Sequence, residues 1–322
     1  MRVFIFGLGY VGHFLAQMCI ENGWEVTFAT RRPSLLLPEN CPYTLIDFHN
    51  HTKISEALRE ASCIISTVPP DLKTQSDPVL AQYQDELLQT NARWIGYISA
   101  TSVYGNYDGA WVNEESACHP SSETGILRLK VEQQWKVLYE SHRLPIHIFR
   151  AAGIYGPTRN ALEDIKNDRV THAVRSSICF SRIHIHDLCS AILKSMQNPT
   201  PGEIYNCSDD RPAPAADVQQ FAAKLLKRPP LEEHSLENAV LSARMKEFYQ
   251  DDKKIDSSKI KNALEIKWKY PTYEIGLQEE IDSTSHIRIY FKNLVATCLN
   301  IRVLLKILIR AVIRSFFKKF HH

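Results

Sequence analysis

The chain has 322 residues, of which 44% are hydrophobic and 23% charged, enough apolar material for a large core in one or two lobes. Its net charge is +2, but residues 286–322 carry eight Lys and Arg and no acidic residue, so the remainder is net negative. A mildly acidic body excludes the basic footprint of a nucleic-acid-binding protein. The eight cysteines form no C-x-x-C pair, which argues against a zinc site and favours a reducing, cytoplasmic compartment.

The first twelve residues predict a dinucleotide-binding turn. A short apolar strand leads into Gly7, Gly9 and Gly12, which have the spacing G-x-G-x-x-G, and a helix follows. The first glycine permits the tight turn, the second lets backbone approach a pyrophosphate, and the third lets the helix pack closely on the strand. Tyr10 and Val11 lie at the helix N-terminus, where free N–H groups favour phosphate. The alternative interpretation is a chance glycine turn.

The end of the second predicted strand bears on the choice of cofactor. An acidic residue about 20 positions after the glycines binds the ribose 2′-hydroxyl of NAD, whereas Arg accommodates the 2′-phosphate of NADP. This strand ends in Arg31 and Arg32 with no acid, which favours NADP and leaves NAD as an alternative. Asp47 ends the third strand at the same predicted sheet edge. The two arginines could instead be solvated loop charges.

Strands and helices alternate through the first half of the chain, which predicts an α/β fold with a doubly wound parallel sheet. The predicted strands cover residues 24–28, 43–48, 63–68, 94–99 and 145–149, and the predicted helices 13–22, 54–60, 79–89 and 126–141. The predicted division is a parallel-sheet domain over 1–206, with 157–178 contributing to a second lobe, that smaller C-terminal lobe over 207–285, and a tail over 286–322.

After residue 150 the alternation is less regular. A strand is predicted over 181–186, with Asp187 as N-cap of a helix over 188–197. A strand over 203–207 and a helix over 216–226 follow. His184 and His186 would alternate on one strand face, either as a strand pair at a lobe junction or, in the alternative, as metal ligands.

Several ordered motifs together resemble the extended short-chain dehydrogenase/reductase superfamily, that is, the NAD-dependent epimerase/dehydratase family. They are GLGYVG (7–12), ISATSVYG (98–105), FRAAGIYGP (149–157), RIHIHDL (182–188), GEIYNCSDD (202–210) and KIDSSKIKNALEIKW (254–268). The resemblance covers about residues 1–281 and implies a Rossmann domain with a smaller lobe for a nucleotide-sugar-like substrate. Typical extended members have G-x-x-G-x-x-G, so the glycine spacing is similar to an atypical bacterial branch.

The resemblance also implies where the catalytic Ser/Thr, Tyr and Lys should stand, and all three positions depart from the pattern. They are occupied by Ala100, Thr124 and Arg128. An aliphatic hydroxyl such as that of Thr124 cannot replace Tyr as an acid/base near neutral pH. Arg128 and Ser99 could still contact the cofactor, because the arginine is always charged and forked.

Several other polar residues each have a functional and a purely structural interpretation. The only Y-x-x-x-K match in the chain joins Tyr249 to Lys253, and its place after the cofactor elements indicates coincidence. Tyr104, Tyr155 and Arg150 lie at predicted strand ends, where they could bind ligand or serve only in packing. A family loop carries Glu114 and Glu115, which could equally form a solvated turn.

The tail over 286–322 lies outside the resemblance. Arg302, Lys306, Arg310, Arg314 and Lys318 recur every four residues among apolar side chains, which predicts a basic amphipathic helix. Its longest uncharged stretch is far short of the roughly 20 residues that span a bilayer. Peripheral contact with the inner face of an anionic membrane is one interpretation. Packing on a partner subunit and a read-through extension are the others.

The sequence therefore predicts an NAD(P)-binding protein of the epimerase, dehydratase or reductase type that acts on a small-molecule substrate, such as a nucleotide sugar. The alternative is a catalytically silent dinucleotide sensor or scaffold. The oligomeric state stays open, and the resemblance makes a homodimer one of the alternatives.

Overall fold

The computed structural model describes residues 1–31, 42–239, 246 and 248–282. Its strands are β1 (Arg2–Phe6), β2 (Glu25–Thr30), β3 (Thr44–Asp47), β4 (Cys63–Ser66), β5 (Trp94–Ala100), β6 (Trp111–Val112), β7 (Ile146–Ala151), β8 (Gly153–Tyr155), β9 (His172–Arg175), β10 (Arg182–His184), β11 (Ile204–Cys207), β12 (Glu232–Ser235) and β13 (Lys254–Ile255). Its helices are α1 (Tyr10–Glu21), α2 (His51–Glu60), α3 (Pro78–Leu88), α4 (Glu123–His142), α5 (Ala161–Lys166), α6 (Ile185–Gln197), α7 (Ala215–Leu225) and α8 (Ser258–Ala263).

A seven-stranded sheet, with the order β11-β7-β5-β4-β1-β2-β3, is the centre of the fold. Every neighbouring pair in it is parallel, for example β1 with β2 and β1 with β4. All carboxyl ends of these strands therefore lie at one edge, where open α/β sheets bind their ligands. The prediction of an α/β, doubly wound parallel sheet is confirmed.

Two hydrophobic cores cover the two faces of this sheet. One joins α1 and α6 to the sheet through residues such as Leu15, Phe28 and Ile192. The other joins α2, α3 and α4 through residues such as Tyr83 and Trp135. The cover on both faces explains why every residue of β4 and β7 is buried, rather than every second residue.

The polar residues before the helices set several helix starts. Asn50 caps α2, Asp77 caps α3 and Ser122 caps α4, each accepting a backbone N–H of the first turn. The helix predicted over 126–141 is confirmed and extends over Glu123–His142, because the Ser122 cap lies ahead of its first apolar residue.

The strand predicted over 181–186 is confirmed only over Arg182–His184, and the prediction of Asp187 as N-cap is wrong. The strand β10 ends at His184, and α6 begins at Ile185, with the His184 side chain accepting from the His186 N–H at 3.2 Å. His184 and His186 therefore do not alternate on one strand. Asp187 lies inside the helix, and its carboxylate accepts the backbone N–H groups of Lys269 and Tyr270 at 2.9 and 2.8 Å, contacts between segments far apart in sequence.

Outside the main sheet, parallel pairs form between β8 and β10, between β9 and β12, and between β6 and β13. The chain divides into two compact units, Met1–Gly276 and Leu277–His322. The boundaries predicted at residues 206 and 285 stay predictions. Arg32 and the tail over 286–322 lie outside the described residues. Among the residues that are described, no helix is long and apolar enough to cross a membrane.

Candidate functional site

The turn between β1 and α1 has no room for a side chain at two of its three glycines. Gly7 has a φ of +100°, and a Cβ there would lie 2.8 Å from the Thr67 hydroxyl. A Cβ on Gly12 would lie 2.2 Å from the Gly7 carbonyl oxygen, so only glycine lets α1 approach the turn this closely. By contrast, a Cβ on Gly9 would meet no atom of the described residues within 4 Å. The space before Gly9 at the α1 N-terminus is therefore open, as a pyrophosphate would require.

The first turn of α1 is bonded to the segment that follows β8. The Tyr10 hydroxyl donates to the Pro157 carbonyl at 2.9 Å, and the Arg159 guanidinium lies 5.4 Å from the centre of the Tyr10 ring. Val11 is half-buried against the core under α1. Tyr10 thus joins the glycine turn to the segment that contains Gly156, instead of pointing into solvent.

Thr67, which the sequence reasoning missed, closes the other side of the turn. It follows β4 directly, and its hydroxyl lies 3.1 Å from both the Phe6 and Gly7 carbonyl oxygens, to which it donates. Its backbone N–H also donates to the Phe6 carbonyl at 3.0 Å. A polar residue directly after a buried strand at the binding edge was the available signal.

The residues predicted to select the cofactor lie at the ends of β2 and β3. Thr30 pairs with Asp47 in the sheet register, so Arg31 and Asp47 lie at the same edge. Both side chains are exposed, and Asp47 Oδ1 accepts the His49 N–H at 2.8 Å. Their predicted contacts with the cofactor stay predictions.

Behind β5 and β7, a buried ion pair ties the sheet to α4. Glu132 and Arg150 are 0% and 4% exposed, and Arg150 Nε lies 3.1 and 3.2 Å from the two carboxylate oxygens. Burial disfavours the charged form of Arg150, but the hydrogen bonds and charge of Glu132 raise its pKa. The Ser99 hydroxyl donates to Glu132 Oε2 at 2.8 Å, so it is already used within the protein.

The same cluster continues into the second half of the chain. Arg150 Nη1 donates to the Tyr104 hydroxyl at 2.9 Å, and that hydroxyl donates to Asn206 Oδ1 at 2.7 Å. The Asn206 N–H donates to Glu114 Oε1 at 2.7 Å, and burial raises the pKa of Glu114. Burial also raises the pKa of Tyr104 to about 12. We call this set, Ser99, Glu132, Arg150, Tyr104, Asn206 and Glu114, the buried polar cluster.

The three positions predicted from the resemblance to replace a catalytic Ser/Thr, Tyr and Lys lie at the end of β5 and in the first two turns of α4. Ala100 ends β5, and Thr124 is exposed with its hydroxyl 3.2 Å from that of Ser122. Arg128 Nη1 donates to the Ile98 carbonyl at 3.1 Å. The guanidinium therefore supports the strand, and a role for Arg128 in cofactor binding stays a prediction.

Two buried oxygens near Arg182 have no hydrogen-bond partner among the residues that the structure describes. Asp209 is 1% exposed with its Oδ2 unpaired, and Tyr249 is 8% exposed with its hydroxyl unpaired. Burial raises the pKa of Asp209 to about 8, with Arg182 opposing the shift. Arg182 Nη1 itself donates to the backbone carbonyls of Phe180 and Ala213 at 2.7 and 3.0 Å. The sequence analysis named Tyr249 only in a motif match and did not predict that it lies near Arg182.

His184 and His186 both contact an aromatic ring. The His184 ring centre lies 4.0 Å from that of Tyr270 and 5.1 Å from that of Tyr155, and the His186 ring lies edge-on to Tyr270 at 5.7 Å. Over the described residues, no group of three or more His, Cys, Asp or Glu could hold a metal ion. Tyr155 and the two histidines thus belong to one packed group.

Comparison with known proteins agrees with this geometry. The model of the NAD dependent epimerase/dehydratase family matches residues 3–208. Protein YeeZ of Escherichia coli K12 is 27% identical over 289 residues, 84% of this chain and 96% of that protein. A functionally unknown conserved protein from Silicibacter pomeroyi DSS has a TM-score of 0.81 and 31% identity, covering 88% of this chain and 98% of that one.

A more distant structure shares the fold. The dTDP-glucose 4,6-dehydratase of Bacillus anthracis str. Ames, in complex with NAD, has a TM-score of 0.71 at 17% identity. The match covers 88% of this chain and 96% of the dehydratase. The Rossmann architecture inferred from the sheet is thus that of known nucleotide-sugar enzymes.

Proposed function

Because the chain belongs to the NAD dependent epimerase/dehydratase family, we propose that it binds NADP(H) at the glycine turn and acts on a nucleotide-sugar-like substrate. The observation that carries the proposal is the contrast between Gly12, whose Cβ would lie 2.2 Å from the Gly7 carbonyl, and Gly9, whose Cβ would meet nothing. The turn is therefore closely packed at Gly12 and leaves open space at Gly9. When bound, the nicotinamide would supply or take up a hydride.

The residues proposed to hold the dinucleotide surround that opening. Gly7, Gly9, Tyr10, Val11 and Gly12 form the turn and the α1 N-terminus, where the helix dipole favours phosphate. Arg31 and Asp47 at the ends of β2 and β3 would face the adenosine ribose, with Arg31 favouring a 2′-phosphate. Ser99 and Arg128 would lie toward the nicotinamide end. NAD is the alternative cofactor.

A nucleotide sugar is the proposed substrate class, by analogy with the dehydratase from Bacillus anthracis. The test is a screen of UDP- and dTDP-sugars with NADPH, NADP⁺, NADH or NAD⁺, followed by NMR and mass spectrometry of the products. A new sugar product or a change in cofactor redox state supports the proposal. Tight cofactor binding with no product from any sugar contradicts the enzymatic part of it.

One observation favours a second candidate, a catalytically silent dinucleotide sensor or scaffold. Thr124 has no group that titrates near neutral pH, and Arg128 is engaged with the Ile98 carbonyl, so neither reproduces a Tyr–Lys pair. A silent screen together with a change in protease sensitivity on NADPH binding would support this candidate over the enzyme.

The remaining proposals concern where the protein works. A reducing cytoplasm suits the six cysteines in the described part of the chain, which are all free thiols. The tail over 286–322 is proposed to contact an anionic membrane surface. Co-sedimentation with phosphatidylglycerol vesicles should be greater for the full chain than for a 1–285 truncation, and equal partitioning would contradict it. A homodimer stays a proposal, for sedimentation analysis to test.

A further inference from the structure

The segment that follows β8 packs against the first turn of α1. The Tyr10 hydroxyl donates to the Pro157 carbonyl at 2.9 Å. A Cβ on Gly156 would lie 3.0 Å from that hydroxyl oxygen and 2.5 Å from Ile185 Cγ2, so this approach requires glycine. Residues 156–159 therefore lie beside the N-terminal end of α1, where the space at Gly9 is open.

These four residues form a tight turn with a fixed backbone. The Gly156 N–H donates to the Arg159 carbonyl at 3.0 Å, and the Arg159 N–H donates to the Gly156 carbonyl at 3.1 Å. The Asn160 side chain donates to the Gly156 carbonyl at 2.8 Å. Thr158 has a φ of +64°, which a β-branched residue rarely adopts. Because the hydrogen bonds hold this strained backbone, the Arg159 side chain starts from a defined place.

The Arg159 side chain extends from this turn over the Tyr10 ring, with its guanidinium carbon 5.4 Å from the ring centre. Another arginine of the same segment, Arg169, is paired with Asp164 at 2.9 Å. Arg159 is exposed and forms no ion pair with any residue that the structure describes. Its positive charge is therefore available to a ligand at the start of α1.

The glycine turn itself has no formal positive charge. Residues 7–12 include no Lys, Arg or His, and the first turn of α1 has no acidic residue. To a doubly charged pyrophosphate the turn thus offers only backbone N–H groups and the helix dipole. A guanidinium is planar and always charged, and it can bind two phosphate oxygens at once. Arg159, which contacts Tyr10, supplies the charge that the turn lacks.

We propose that Arg159 is a further cofactor-binding residue, whose guanidinium binds the pyrophosphate of the dinucleotide beside the glycine turn. This inference rests on the proposed function, because the dinucleotide site is argued from the family and the glycine turn and not from the helix end alone. The Tyr10 ring and the hydrogen bond from Tyr10 to Pro157 hold the guanidinium in place before the ligand binds. Such preorganisation lowers the entropic cost of binding.

The test compares three ligands that share the pyrophosphate, namely NADPH, NADH and ADP-ribose, by isothermal titration calorimetry. Arg159→Met keeps an unbranched side chain against the Tyr10 ring and removes the charge. We expect this variant to lose about tenfold in affinity for each of the three ligands, since a charge-assisted contact is removed. Arg169→Met, at an exposed arginine of the same segment, is the matched control and should keep the wild-type affinities. Urea unfolding shows that both variants are folded.

The three ligands distinguish the contacts that Arg159 could make. A loss for NADPH alone would assign Arg159 to the 2′-phosphate, and a loss for NADPH and NADH without ADP-ribose would assign it to the nicotinamide end. Either result, or wild-type affinity for all three, would overturn the inference and leave the proposed function intact. If none of the three binds the wild type, the proposed function itself is wrong.

The salt dependence of binding supplies a second measurement. Salt screens an exposed charge contact, so the difference in NADH affinity between wild type and Arg159→Met should shrink as the NaCl concentration rises. Arg169→Met should follow the wild type at every salt concentration. A difference for Arg159→Met that does not change with salt would mean that Arg159 acts only by packing on Tyr10, and would contradict the proposed charge contact.

Discussion

The turn between β1 and α1 and the buried polar cluster behind β5 and β7 keep their shapes in different ways. The turn depends on absent side chains, with Gly12 packed on the Gly7 carbonyl and open space before Gly9. The cluster depends on charges that are already paired, with Glu132 bound to Arg150 and Ser99. An open, dipolar turn is suited to taking a ligand, and a satisfied buried network is suited to holding a scaffold still.

The largest effect should come from breaking the ion pair of the cluster. Arg150→Ala leaves the Glu132 carboxylate buried and uncompensated, which should lower the free energy of unfolding by about 3–5 kcal/mol. Urea denaturation measures this. The matched control is Arg169→Ala, since the Arg169–Asp164 pair is 55% and 44% exposed and should contribute about 0–1 kcal/mol. Similar losses of unfolding free energy in both variants would contradict the conclusion that the buried polar cluster stabilises the fold.

The two glycines of the turn should respond differently to one added methyl group. In Gly12→Ala the Cβ would clash with the Gly7 carbonyl, and such overpacking should lower the free energy of unfolding by about 1–3 kcal/mol. In Gly9→Ala the Cβ enters open space, so thermal and urea unfolding should match the wild type. Equal stability of the two variants would contradict the geometry of the turn.

Because of Asp209, we expect the free energy of unfolding to depend on pH, which is not expected of the glycine turn. Burial raises its pKa to about 8 in the folded chain, so between about pH 4 and 8 the folded state holds a proton that the unfolded state has released. The free energy of unfolding should therefore fall as pH rises through that window, by at most about 1.4 kcal/mol for each pH unit. Asp209→Asn should flatten this part of the urea-stability profile.

The control for that profile is Glu60→Gln, which changes an exposed carboxylate that is paired with Arg2. Its curve should keep the slope of the wild type. Parallel profiles for wild type and Asp209→Asn would mean that Asp209 is ionised in the folded chain.

The smallest expected effect is on the relative affinity for NADPH and NADH. Arg31→Ala removes the charge proposed to meet the 2′-phosphate, so NADPH affinity should fall by about tenfold, or about 1.4 kcal/mol, with NADH affinity unchanged. Arg59→Ala, at the exposed end of α2, is the matched control. If the two cofactors lose affinity equally in Arg31→Ala, Arg31 is not the selecting residue.

Local patterns predicted the sheet and the glycine turn, because both depend on short-range features. The apolar runs of β1, β4 and β5 and the capping residues before α3 and α4 lie within a few positions of the elements they specify. Asp187 shows the limit of this reasoning. It has the usual type and place of an N-cap, yet it binds backbone at Lys269 and Tyr270, partners that only the folded chain brings near.

The candidate site was less predictable than the sheet, because many of its contacts join residues that are far apart in the sequence. The motif frames predict Ala100, Thr124 and Arg128 as substituted positions, since each is defined by its neighbours in sequence, and this stays a prediction. The Glu132–Arg150 pair spans two elements, and the Tyr10–Pro157 hydrogen bond joins residues 147 positions apart. Such contacts leave no periodic signal, so the sequence placed Tyr10 in the glycine turn but did not indicate Arg159.

The most direct test of the central claim is a fluorescence titration of NADPH and NADH against wild-type protein and Gly9→Ala. We expect the wild type to bind both cofactors with preference for NADPH, and Gly9→Ala to lose affinity for both while it unfolds at the same urea concentration. Wild-type affinity in Gly9→Ala, or no binding of either cofactor to the wild type, would contradict the claim that the turn at Gly9 holds the dinucleotide.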